Sequence, residues 1–337
     1  MKKLFVVTTA TAALIATAAN AGSYNTFEAN GNAFVARSME APMTMQERLA
    51  VFPRGYDLHG VNGSIGYIGI QHGSTEWVSS GLNEHGLNVE SLALIESKYV
   101  AEGEGDVNYL GLVSHVLANA KSVEQAIALL KKTKVETTTI AVAHGSTVGM
   151  HFAIRDNQRA IVIEYLDGSG YPSIFENHLG AMTNDPNYAE MEQLAAEVFD
   201  ADGASVRMAD YQLKLSEKTF KGFDKTSTDR FLQSVSMNYV EDLRRVKTDL
   251  DAVNRAWTIV NSMEIVEGSL YWRWIDQNPQ MVGYGTVVDL KKKDYYFRTM
   301  DNMNIRKIDV DRIDFSTVEY KAASIYGSAD YQQYRWQ

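Results

Sequence analysis

Apolar and polar positions alternate with a period of two through "SYNTFEANGNAFVARSME", in two runs joined at Asn30-Gly31. That dipeptide suits a two-residue hairpin turn, so the segment predicts two antiparallel strands. The turn sets the register, placing Ser23 opposite Ser38 and Tyr24 opposite Arg37. Regular alternation puts Arg37 and Glu40 on opposite faces of the second strand. Both serve one site only if that strand bulges or turns near Ala41-Pro42. The same rhythm predicts strands in "RLAVFP", "GSIGYIGI", "TEWVSS" and "GLNVESLALIE".

The period then lengthens. Residues 109–119 and 123–132 read as helices, the second opened by Ser122 and Gln125 as a capping box. Strands resume in "TTTIAVAH", "GMHFAIRD", "RAIVIEYLD", "YPSIFEN" and "LGAMTN". A helical block follows over 188–239, broken by the polar stretch 200–204, and "DLDAVNRAWTIVNSM" forms another amphipathic helix. The chain closes on strands in "YWRWIDQ", "MVGYGTVVDL", "DYYFRTM" and "IRKIDV". Tight turns between successive strands predict largely antiparallel sheets, and the helical batches predict an α+β domain of packed sheets covered by helices. No linker, repeat or low-complexity tract divides it.

The first residues follow a different pattern. Lys2 and Lys3 precede an apolar, small-residue run, and Ala19-Asn20-Ala21 fits an export cleavage pattern, with the cut before Gly22. Residues 1–21 are therefore expected to be a signal peptide and 22–337 one domain, periplasmic or secreted, with no stable membrane insertion. The chain carries a net charge of −10 and no basic stripe, which argues against nucleic-acid partners. It has no cysteine, so it has no disulfide, no thiolate metal site and no thiol nucleophile.

Common catalytic signatures are absent from the sequence: no G-x-S-x-G, H-E-x-x-H, P-loop or G-x-G-x-x-G. The seven histidines lack metal-ligand spacing, and no metal or cofactor is expected. One mechanism suits the layout. A hydroxyl at a freshly cut N-terminus can be activated by its own α-amine, a base with a pKa of about 7.7–8.0. Ser23 stands two residues past the expected cut, and Arg37 and Glu40 lie at the facing strand end, within diagonal reach. An ordinary edge hairpin with solvated charges fits the same spacing.

Five segments resemble, in order, those of the choloylglycine hydrolase and penicillin V acylase family of linear amide hydrolases, in its Gram-negative periplasmic branch. They are "ARSMEAP", "GLNEHGLNVESLALIESKY", "VIEYLDG" with "LGAMTNDPNY", "STDRF", and the closing "VVDLKKKDYYFRTMDNMNIRKIDV". The resemblance implies an Ntn-hydrolase four-layer αββα sandwich with an N-terminal nucleophile. It implies that Arg37 lies against the nucleophile and that Glu40, in place of an Asp, binds the α-amine. Asn184 would donate to the oxyanion, and Arg230 would add positive charge. Asn184 before Asp185-Pro186 also suits plain turn chemistry, and Arg230 a helix-surface ion pair.

The chain departs from the family pattern where the nucleophile belongs. The family's cysteine is missing, and Ser23 is the nearest substitute, with Gly22 ahead of it. Aligning on Thr26-Phe27 instead puts Tyr24 at the nucleophile's place, and Ala93 replaces an Asn or Tyr that helps build the oxyanion hole. Three functions follow. The first is a serine-type hydrolase of a small-molecule acyl amide: penicillin V, an acyl-homoserine lactone or a bile-salt-like conjugate. The second is a non-catalytic exported protein that binds an amphiphile. The third is a hydrolase with its nucleophile elsewhere, Ser38 being one candidate. Family relatives also make a homo-oligomer an expectation.

Overall fold

In the computed structural model the described residues are 21–41, 44–141, 145, 147–199, 225–239, 243–267 and 281–336. Residues 1–20 of the expected leader, "YWRWIDQ", Pro42 and the break at 200–204 lie outside them, while Ala21 is described. The first hairpin forms as its turn predicts. Strand β1 (Ala21–Ala29) pairs antiparallel with β2 (Asn32–Ala41), with Ser23 facing Ser38 and Tyr24 facing Arg37. Asn30 and Gly31 both take positive φ, at 56° and 68°, the backbone that a type I′ turn needs.

This hairpin is the middle of a six-stranded sheet. On one side of it lies β12 (Ala181–Met182); on the other follow β13 (Met281–Asp289), β14 (Asp294–Thr299) and β15 (Arg306–Asp309). The second sheet has eight strands. In spatial order they are β11 (Ser173–Glu176), β10 (Ala160–Glu164), β9 (Met150–Arg155), β6 (Asn88–Ala93), β5 (Val78–Asn83), β4 (Tyr67–His72), β3 (Glu47–Phe52) and β16 (Lys321–Ser324). Every pairing in both sheets is antiparallel; parallel pairing occurs between the two-residue strands β7 (Val107–Asn108) and β8 (Val135–Glu136).

Helices cover the outer faces. On the eight-stranded sheet lies α1 (Leu112–Asn119), with α2 (Val123–Leu130) beside it. On the six-stranded sheet lie α4 (Ser227–Tyr239) and α5 (Asp249–Ser262), with α3 (Tyr188–Phe199) beside α4. The result is the four-layer αββα sandwich of the Ntn hydrolases, with two cores. Phe27, Phe34 and Ala36 pack against Val253, Trp257 and Val260 of α5. Tyr24, Val35 and Met39, on the other face of the same hairpin, join the larger core between the sheets. The hairpin is thus buried on both sides, and all ten residues of β2 are buried.

Several elements differ from expectation. The first helix starts at Leu112 rather than 109. Only half of the α2 capping box forms: Ser122 Oγ accepts from Gln125 N, while Gln125 Oε1 takes Lys121 N. "TEWVSS" becomes strand only from Val78. In "TTTIAVAH" the described part, 137–141, is not a strand. Residues 142–144 lie outside the description. No helix among the described residues is long and apolar enough to cross a membrane.

Candidate active site

Strand geometry gathers four of the five residues singled out in the sequence. Strand β12 pairs with β1 through Tyr24–Met182 and Asn25–Ala181, so the chain leaving β12 carries Asn184 alongside Gly22. Helix α4 runs over the helix-facing side of β1, anchored by Asn25 Nδ2 donating to Ser234 O. Arg230, four residues before Ser234 and on the same helical face, therefore points at the start of β1. Ser23 and Glu40 share that face because Ser23 pairs with Ser38, and Glu40 lies two residues further along β2.

The hydrogen bonds close into one cluster. Ser23 Oγ donates to Glu40 Oε1 at 2.8 Å and accepts from Arg230 Nη1 at 2.6 Å. Arg230 Nη1 also donates to Gly22 O at 2.6 Å, Nη2 to Asn184 Oδ1 at 2.8 Å, and Nε to Lys225 O at 3.1 Å. Four of the five guanidinium protons are thereby placed. Ser38 Oγ donates to the same Glu40 Oε1 at 2.7 Å, and Glu40 Oε2 has an ionic contact with Arg230 at 3.5 Å. Glu40 is fully buried, and Ser23 is 3 % exposed. Burial pulls the Arg230 guanidinium below its ordinary value, and the Glu40 carboxylate opposes that.

Arg37 is not part of this cluster. The expectation that it lies against the nucleophile is corrected by strand alternation. An extra residue does occur at this point, but on the neighbouring strand, where β13 shifts register between Val282 and Tyr284 opposite Glu40 and Met39. The β1–β2 ladder stays regular, so Arg37 and Glu40 remain on opposite faces. The Arg37 guanidinium sits between the sheets. It lies 4.7 Å from the Tyr284 ring, donates to Ser91 O at 3.2 Å, and approaches Glu90 at 3.5 Å. Desolvation outweighs that cation and pushes the Glu90 carboxyl up to about 7.

Asn184 is in the cluster, but oriented otherwise than a donor to an oxyanion requires. Its Nδ2 donates to Ala93 O at 2.8 Å, and its Oδ1 accepts from Gly22 N at 2.9 Å and from Arg230. The donor that holds the carbonyl of residue 22 is Arg230. Gly22 itself is tightly seated, since a Cβ there would meet Leu92 Cγ at 2.4 Å.

Two groups were not foreseen. Ser227 Oγ accepts from Asn184 N at 2.8 Å. His151 and Glu164 form a buried pair at 2.8 Å behind Asn184. The signal for that pair lay in register: "MHFAIR" and "AIVIE" form a hairpin in which Ile163 faces Phe152, so His151 and Glu164 come next. Among the described residues no group of three His, Cys, Asp or Glu side chains could hold a metal ion.

Comparison with known proteins agrees with this architecture. The model of the linear amide C–N hydrolases, choloylglycine hydrolase family, matches residues 23–323. The bile salt hydrolase/transferase of Clostridium perfringens is 26% identical over 258 residues, covering 72% of this chain and 75% of that protein. The penicillin V acylase of Pectobacterium atrosepticum is 24% identical over 321 residues, covering 86% of this chain and 80% of that protein. Among solved structures, a mutant conjugated bile acid hydrolase from C. perfringens superposes with a TM-score of 0.75 at 20% identity, over 93% of this chain and all of that one. A match over nearly the whole described chain, with the same sandwich, places the protein in a family: it belongs to the choloylglycine hydrolase family of linear amide C–N hydrolases.

Proposed function

We propose that this protein is an exported hydrolase of acylated small-molecule amides that uses Ser23 as an N-terminal nucleophile once Gly22 has been removed. One observation carries the reading. Ser23 Oγ lies between a carboxylate that accepts its hydrogen bond and a guanidinium that donates to it, at 2.8 and 2.6 Å. Such a pair orients the hydroxyl and stabilises negative charge as it develops.

In the full-length chain the peptide groups of Gly22 take up Asn184 Oδ1 and one Arg230 Nη1 proton. Loss of Gly22 frees both and creates an α-amine on Ser23. Glu40 Oε2, which has no hydrogen bond, is the atom left to receive that amine. In the reaction, Ser23 Oγ attacks the acyl carbonyl and its proton passes to the free-base amine. Arg230 Nη1 donates to the carbonyl oxygen as it becomes an oxyanion, and Asn184 Oδ1 accepts the amide N–H. Collapse breaks the C–N bond, the α-ammonium returns the proton to the leaving amine, and water then hydrolyses the ester.

Substrates are taken from the amides of the relatives, penicillin V and bile-salt conjugates, and from acyl-homoserine lactones of like chemistry. The leader at 1–21 sends the protein to the periplasm or beyond. Intact mass of the exported protein tests the reading. A chain beginning at Ser23, with amidase activity that rises in Ser23→Cys, is the expected result. A mature chain that keeps Gly22 overturns it, because the α-amine then belongs to the wrong residue. Retention of Gly22 without turnover would leave a binding protein.

A further inference from the structure

The peptide unit that precedes Asn184 is pinned at both ends. Its N–H donates to Ser227 Oγ at 2.8 Å, and its carbonyl, Thr183 O, lies 2.7 Å from His151 Nε2. A carbonyl oxygen can only accept, so Nε2 carries a proton. The other ring nitrogen, Nδ1, faces Glu164 Oε1 at 2.8 Å. That same oxygen accepts Tyr188 N at 2.9 Å, which ties the pair to the first turn of α3. His151 is 1 % exposed and Glu164 fully buried, so solvent does not compete for these bonds.

The arrangement looks like two members of a hydrolytic triad, but the third place is filled by a main-chain acceptor. Among the described residues no hydroxyl sits on Nε2, and the Thr183 hydroxyl turns away to Ser227 O at 2.9 Å. The pair therefore has no nucleophile to activate. What it does control is the plane of the 183–184 peptide, from which the Asn184 side chain reaches Gly22, Ala93 and Arg230.

We infer that His151 and Glu164 are positioning residues: they lock the Thr183 carbonyl and so hold Asn184 in register with the start of β1 and Arg230. This rests on the reading of Asn184 as a substrate-binding group. A hydrolase that takes its amide acceptor from one asparagine, which also holds the arginine facing the oxyanion, needs that side chain held to within a fraction of an ångström, because a 1 Å misplacement can cost on the order of 100-fold in rate.

The test replaces both buried partners together, as His151→Leu with Glu164→Gln. The replacement leaves no uncompensated charge, and the introduced carboxamide oxygen can still accept Tyr188 N. We expect a folded protein with kcat lower by about 10- to 100-fold, KM within about twofold, and side-chain amide protons of Asn184 that exchange at least about tenfold faster. A folded variant with unchanged kcat and unchanged Asn184 exchange overturns the inference. If the variant does not fold, nitrogen NMR of the unmodified protein decides. A slowly exchanging proton on His151 Nε2 supports the lock, and a bare Nε2 overturns it. A wild-type protein that turns over no acyl amide defeats the hydrolase reading instead; the Asn184 exchange comparison still decides this one.

Discussion

The two faces of β2 each carry a buried arginine beside a buried glutamate, and the two pairs are built differently. On the helix side, Arg230 places four protons on four oxygens, and Glu40 Oε1 receives two serine hydroxyls. On the side between the sheets, Arg37 meets Glu90 at 3.5 Å without a hydrogen bond, and Arg37 Nε, Arg37 Nη1 and Glu90 Oε2 have no hydrogen-bond partner among the described residues. The first cluster is saturated with directed bonds around a hydroxyl and a peptide that could be exchanged for a substrate. The second is an ion pair against an aromatic ring that ties one sheet to the other. A buried pair of opposite charges is thus no mark of a catalytic site by itself; what separates the two is that Ser23 Oγ bridges Arg230 and Glu40, whereas the Ser80 hydroxyl on Glu90 is shared with Tyr295 instead.

Mutation should separate them further. The largest effect is expected from Ser23→Ala, which should lower kcat/KM by about 1000-fold or more with the fold intact by circular dichroism; near-full activity would shift the nucleophile to another residue. Next comes Arg37→Met, which leaves Glu90 buried without its cation. It should cost about 3 kcal/mol in urea unfolding yet leave kcat of the folded protein within a few-fold. If kcat instead collapses as in Ser23→Ala, the division between the two faces is wrong.

Glu40→Gln should lower kcat by about 100-fold, read in steady-state kinetics, since an amide oxygen holds the Ser23 hydroxyl and the new α-amine more weakly than a carboxylate does. The fourth prediction concerns pH. Glu90 has a folded-state pKa raised from 4.5 to about 7 by burial. The folded state therefore holds a proton that the unfolded chain has released across that window. Its stabilising contribution is complete below pH 4.5 and is lost as pH rises through about 7. Between pH 5 and 7.5 the loss amounts to about 2 kcal/mol, and Glu90→Gln should flatten that part of the stability profile. Smallest of all, Ser38→Ala removes one of two hydroxyls on Glu40 and should cost about 1 kcal/mol with activity within tenfold. A loss rivalling Ser23→Ala would make Ser38 the nucleophile.

Much of the frame was legible before any coordinates. Asn30-Gly31 specified the first hairpin to the residue, and the register it imposed already separated Arg37 from Glu40, because side chains alternate with a strict period of two. Strand boundaries were less legible where the pattern was purely apolar. "TEWVSS" contributes only its last residues to β5, and "TTTIAVAH" reads as strand by composition although its described part forms no strand. β-Propensity records what suits a pleated surface, and pairing depends on which neighbour is present. The family boxes brought Glu40, Asn184 and Arg230 to notice. They did not reveal that Asn184 turns its oxygen toward Gly22, since the amide's orientation is set by Ala93 O and Arg230, distant in sequence.

By itself the sequence determined the alternation, the hairpin turn, the absence of thiol chemistry and the family boxes. These are properties of neighbouring residues or of composition, so they can be read locally. Tertiary structure alone decided which arginine meets Ser23. Arg37 is close in sequence and, by alternation, faces away. Arg230 is more than two hundred residues distant and is brought in by a helix packed over β1. Contacts of that kind arise from how layers stack around two cores, and no local pattern encodes the partner.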